Sequence, residues 1–131
     1  MVVMNREFKE LSETEFEIMQ YIWGCSNETE IITKSIMEHF EGQGKDWKLN
    51  TLNTFLKRLE MKGLIKAESK GKIYVYYPKM TYEEYEQKRA MCVLKTGFDN
   101  SIKKFLVALS GGKGLDSTEV EELEKWFKEL K

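Results

Sequence analysis

The apolar residues of this chain recur at helical spacing over most of its length, with one interval of strict alternation near the middle. Leu49, Leu52, Phe55, Leu56 and Leu59 return every three or four residues. They predict one apolar helix stripe within residues 47–63, WKLNTLNTFLKRLEMKG. Upstream, Ser12 is suited to cap a helix, Glu15 to complete a capping box and Leu11 to staple Phe16. That helix is expected to reach about Gly24 and to bury Phe16, Met19, Ile22 and Trp23. A polar turn at 25–28 leads to a second helix over about 29–40, with Ile32, Ile36 and Phe40 inward. After Gly63, a fitting left-handed helix terminator, the period changes to two. Residues 64–68 and 73–77 predict paired strands around a turn at 69–72, closed by Pro78.

Beyond Pro78 the helical period resumes over 81–109, interrupted near Thr96-Gly97. Tyr82, Tyr85, Met91, Val93 and Leu94 are apolar in its first part; Phe98, Ile102, Phe105, Leu106 and Leu109 are apolar in its second. Asp116 and Glu119 repeat the capping device before a closing helix that carries Val120, Leu123, Trp126, Phe127 and Leu130. Three helical pieces in so short a stretch do not readily bury this much apolar surface alone. Pairing with a second copy, through Phe98, Ile102, Phe105, Leu106, Leu109, Val120, Leu123 and Phe127, is the expected solution; folding back within one monomer is the alternative.

The polar face of the 47–63 helix is unusual. Asn50, Thr51, Asn53 and Thr54 crowd its leading half, although Asn and Thr are poor helix formers. Such side chains are expected for what they touch. Short amides and hydroxyls in front, with Lys57 and Arg58 behind, is the pattern of a helix that offers contacts to base edges first and to phosphates after. A solvated helix face is the bland alternative.

Charge distribution strengthens the first reading. The net charge is −1, yet residues 1–44 carry Arg6, Lys9 and Lys34 against nine carboxylates, whereas residues 45–79 carry nine cations against three. The basic segment contains the polar helix and the hairpin, whose tip bears Lys70 and Lys72. With Lys48, Lys57 and Arg58, these lysines are the expected phosphate contacts. A basic-tipped hairpin after such a helix is a wing.

Little points to catalysis. Cys25 and Cys92 match no metal or redox spacing, and His39 is the one histidine. Free thiols are expected, with thiol sensing as the alternative. No Gly-rich phosphate loop, nucleophile set, metal or cofactor site is expected. Neither a membrane-spanning run nor a secretory signal is recognisable, so a cytoplasmic location without membrane partners is expected.

The order LSETEFEIMQYIW, TLNTFLKRLEMKGLI and IYVYYP resembles the penicillinase-repressor family of the BlaI/MecI type, which includes the copper-responsive CopY branch. The most specific part is T-x-x-T-x-x-x-R-L followed by K-G-L-I, matched at Thr51, Thr54, Arg58, Leu59, Lys62, Gly63, Leu64 and Ile65. The resemblance implies a homodimeric winged-helix repressor on a palindromic double-stranded DNA operator. It also implies, for the penicillinase type, an inactivating protease that cuts within the C-terminal helices. Asn50 and Asn53 depart from the Lys and the Arg or Gln of many relatives, so no operator sequence carries over. The copper branch's C-terminal cysteine cluster is missing, and the Asn-Phe pair of the cleavage region is absent near Ala108-Leu109.

The expected architecture is therefore mainly α with a small β-wing. It comprises a flexible arm at 1–10, an N-terminal winged helix-turn-helix DNA-binding domain at 11–79 and a C-terminal helical dimerisation domain at 80–131. A winged-helix module that binds protein instead of DNA is the rival reading.

Overall fold

The computed structural model describes residues 8–130. Ser12 Oγ accepts from the Glu15 N–H at 3.2 Å, and Glu15 Oε1 accepts from the Ser12 N–H at 2.8 Å. The capping box thus opens α1 (Glu13–Gly24) as its sequence predicts. There follow β1 (Ile31–Ile32), α2 (Thr33–Gly42), α3 (Leu49–Met61), β2 (Ile65–Lys70) and β3 (Ile73–Pro78). After them come α4 (Tyr82–Thr96), a tight turn at Phe98–Asn100, α5 (Ile102–Gly111) and α6 (Ser117–Glu129). The fold is mainly helical, with a three-stranded antiparallel sheet in the order β1-β3-β2, and α1 to β3 form a winged helix-turn-helix. No helix among the described residues is long and apolar enough to cross a membrane.

Three helices and the sheet close on one core. Ile18, Met19 and Ile22 of α1 meet Ile36 and Phe40 of α2, Leu52, Leu56 and Leu59 of α3, and Leu64, Ile65 and Tyr76 of the hairpin. Gly63 ends α3 with φ +83°, and the Leu64 N–H reaches back to the Leu59 carbonyl at 3.0 Å. This left-handed terminator turns the chain from helix into wing. At the wing tip Lys70 pairs with Ile73 across Gly71, whose φ of +63° suits a two-residue hairpin.

The structure corrects the sequence reading at four places. Residues 29–32 are not helical: Ile31 and Ile32 form β1, facing Tyr76 and Val75 of β3. The Ser35 hydroxyl then fixes the start of α2, accepting from the Ile32 N–H at 3.0 Å and donating to the Ile32 carbonyl at 2.8 Å. Pairing satisfies the otherwise open edge of β3, a non-local gain that helical periodicity does not register. Leu49, counted in the apolar stripe, is 53% exposed. Phe16 and Trp23 are half-buried, while the buried positions of α1 include Ile18 and Glu15. Finally, Tyr85, expected in the second domain, belongs to the first core. Its hydroxyl accepts from the Leu11 N–H at 3.1 Å, and its ring packs near Phe16 and Trp23. The chain divides into two compact units within α4, between Lys88 and Arg89. Of the expected arm, residues 1–7 lie outside the described residues, and Phe8 packs on Tyr85 with ring centroids 5.4 Å apart.

In the second unit the interruption after Thr96 is a left-handed turn: Phe98, Asp99 and Asn100 have φ of 52°, 51° and 56°. L-residues pay for this conformation, about 1–2 kcal/mol each. Local contacts hold the turn, with Lys104 salt-bridged to Asp99, Ser101 Oγ capping α5 at the Lys104 N–H, and Phe98 edge-on to Phe105. Asp116 and Glu119 form the expected capping box of α6. None of the described residues from Arg89 onward is buried. Of the expected dimerisation residues, Phe105, Leu106, Leu109 and Leu123 are half-covered, whereas Phe98, Ile102, Val120 and Phe127 stand exposed.

Candidate nucleic-acid interface

Helix α3 begins without a side-chain cap: Lys48 occupies the N-cap position and makes no capping hydrogen bond. Leu52, Leu56 and Leu59 anchor its inner face, which turns Asn50, Thr51, Asn53 and Thr54 outward, all four exposed. A polar face packed against the rest of the chain would have favoured the rival reading; this one is open. Thr54 carries a further constraint, because its hydroxyl donates to the Asn50 carbonyl at 2.9 Å. With its proton engaged, Thr54 offers an approaching group an acceptor.

A groove of about 840 Å³ runs between α2, α3 and the wing. Leu49, Asn53 and Lys57, one turn apart on α3, line one side; Lys72, Ile73 and Tyr74 of the wing line the other. Lys34 of α2 lines it as well. Asn53, Lys57 and Lys72 are thus brought together. Asn50, Thr51, Thr54, Lys48 and Arg58 lie on the exposed surface outside the groove lining, and the Arg58 guanidinium sits 5.8 Å from the centre of the Phe55 ring.

Charge pairing thins the basic segment selectively. Lys45 meets Glu17 at 3.4 Å, Lys62 meets Glu15 at 2.6 Å, and Lys66 meets Glu68 at 3.2 Å. Lys70, expected on phosphate, donates to Glu30 at 2.7 Å, and that hydrogen bond raises its pKa. Lys48, Lys57, Arg58 and Lys72 enter no ion pair among the described residues. They, with Lys34, are cations available to an anion from outside; Lys79, after the wing, is likewise exposed and enters no ion pair among the described residues.

Charge along the chain does not single out Lys34, which stands among Glu28, Glu30, Glu38 and Glu41. The helical period of α2 does show it exposed, opposite Ile36 and Phe40, but only folding sets it beside Lys57 and Lys72.

Comparison with known proteins agrees with this geometry. The family model described as "Penicillinase repressor" matches residues 11–129. The chain is 23% identical over 126 residues to the penicillinase repressor of Bacillus licheniformis, covering 96% of this chain and 95% of that one. It is 29% identical over 124 residues to the methicillin resistance regulatory protein MecI of Staphylococcus aureus, covering 92% and 94%. Among solved structures, the DNA-binding domain of the repressor BlaI superposes with a TM-score of 0.51 at 27% identity, covering 62% of this chain and 94% of that one.

Proposed function

The chain belongs to the penicillinase repressor family, and from that premise we propose that it is a sequence-specific DNA-binding transcriptional repressor, acting in the cytoplasm as a homodimer on a palindromic operator. The observation that carries the reading is the outward Asn/Thr face of α3 beside a groove rimmed by Lys34, Lys57 and Lys72. In a major groove, Asn50 and Asn53 each provide a donor and an acceptor, the pair that adenine matches. Thr54, its proton engaged, accepts from the amino group of adenine or cytosine. Lys48, Lys57, Arg58 and Lys72, joined by Lys34, hold phosphates. Lys70 does so after exchanging Glu30 for the backbone.

Homodimerisation is supported by the second unit, which alone leaves Ile102, Val107, Trp126 and Leu130 more than half exposed. A dimer would present two copies of α3 about 34 Å apart, or a multiple of that, on one side of a duplex.

The test is binding to duplexes enriched from a randomised pool, measured across a salt series. Asn53→Ala is expected to change which duplex is preferred. Lys72→Ala and Lys34→Ala are each expected to weaken binding to all sequences and to lower the salt slope by about one. Failure to retain any duplex at low salt would overturn the reading. A Lys72→Ala protein with altered preference and an unchanged salt slope would overturn the division of roles.

A further inference from the structure

We propose that Leu49 is a specificity residue that reads the methyl group of a thymine in the operator; this rests on the DNA-binding reading above. Leu49 is the first residue of α3 and is 53% exposed, although its spacing from Leu52 and Leu56 would place it in the core. It lines the groove, with Asn53 and Lys57 following one and two turns later along the same helix. A leucine held half in water at the leading end of a helix gains by covering an apolar group on whatever enters. The major-groove edges of the bases offer one such group, the thymine C5-methyl. The neighbouring side chains fit that partner. Asn53 supplies a donor and an acceptor to an adjacent adenine, and Lys57 stands a turn further on for the backbone. Cytosine at the same place would set its amino donor against the leucine, where no acceptor meets it.

Exposed leucines are common, and exposure alone would mean little. What distinguishes Leu49 is that it shares its wall with two residues whose chemistry suits a base pair and a phosphate. Met61, 84% exposed at the far end of the same helix, has no such company in the groove.

The experiment takes the duplex most enriched from a randomised pool by the full chain and replaces each thymine of one half-site with uracil, one at a time. Uracil keeps every hydrogen-bonding group and lacks only the methyl. At one thymine the wild-type protein is expected to lose about three- to fivefold in affinity, the worth of one methyl withdrawn from water. Leu49→Ala should lose nothing further at that position and keep its sensitivity at the others. Leu49→Gln, of similar length and good helix propensity, should behave like Leu49→Ala and serves if the alanine variant fails to fold. A wild-type protein indifferent to uracil everywhere, or variants as sensitive as wild type at every thymine, overturns the assignment and leaves the repressor reading standing. A pool from which the wild-type chain enriches no duplex overturns both.

Discussion

Phe127→Asp is expected to make the protein a monomer at micromolar concentration and to lower its affinity for a palindromic operator by about 10²- to 10⁴-fold. An open groove of about 430 Å³ between α5 and α6 is lined by Ile102, Lys103, Leu106, Val107, Ser110 and Phe127. In a single chain this groove faces water. A carboxylate there costs the isolated unit little, because Phe127 is already 41% exposed. Once a second copy covers the groove, the same carboxylate must lose its hydration, a penalty of several kcal/mol that pairing with Lys103 of the same groove offsets only in part. The loss on DNA follows from linkage: two half-site contacts tethered in one dimer gain roughly 10²- to 10⁴-fold over one. Light scattering after size exclusion reads the mass, and a band-shift titration reads the affinity. Helix content by circular dichroism should be unchanged. A variant that remains a dimer at normal helix content would move the interface off this groove.

Lys62→Met is expected to destabilise the N-terminal unit by about 3 kcal/mol without changing the salt slope of DNA binding. Lys62 lies in the basic segment, yet it faces inward. Its Nζ donates to Glu15 Oε1 at 2.6 Å and to the Glu10 carbonyl at 3.1 Å, tying the end of α3 to the start of α1. Glu15 is 1% exposed, so removing Lys62 strands a buried carboxylate. Burial alone pushes the Glu15 pKa up, but the hydrogen bond from Lys62 and that from the Ser12 N–H outweigh it and hold the group below its ordinary 4.5. The sign follows. A carboxyl with a depressed folded pKa adds stability above its unfolded pKa and loses it as pH falls through the folded one, since the unfolded chain takes the proton first. The variant loses that contribution at neutral pH. In acid, where Glu15 is protonated in both proteins, the difference between them should shrink. Urea unfolding at about pH 7 and at successively lower pH, until the wild-type chain itself loses the Glu15 contribution, checks this. Equal destabilisation throughout would show that Lys62 acts through packing and not through its charge.

These two outcomes depend on different kinds of information. The α5–α6 surface was legible in the sequence: the period of Ile102, Phe105, Leu106 and Leu109, set against Val120, Leu123 and Phe127, shows more apolar surface than one short unit can cover. The role of Lys62 was not. It sits in a run of cations that reads as a phosphate-facing surface, and its partner is forty-seven residues away. The polar face of α3 and the groove beside it divided in the same way. Asn50, Thr51, Asn53 and Thr54 stood out because they sacrifice helix propensity, a cost visible residue by residue. Lys34 made no such local sacrifice and did not stand out.

The sequence by itself determined several features whose cause spans a few residues. Ser12 with Glu15 and Asp116 with Glu119 start helices, Gly63 ends one with a positive φ, and the alternating residues after it make a hairpin. In each case the donors, acceptors and backbone conformations that decide the outcome lie within a turn of one another. Only the tertiary structure decided that Ile31 and Ile32 are a strand, that Tyr85 belongs to the first unit, that Glu15 takes Lys62 from the surface and that Leu49 stays out of the core. Each of these is a choice between local arrangements of similar free energy, and the balance is tipped by groups that only folding brings near. An unpaired strand edge, a buried carboxylate and a packed ring are satisfied by whatever lies next to them in space, and the order of residues along the chain does not announce which groups those will be.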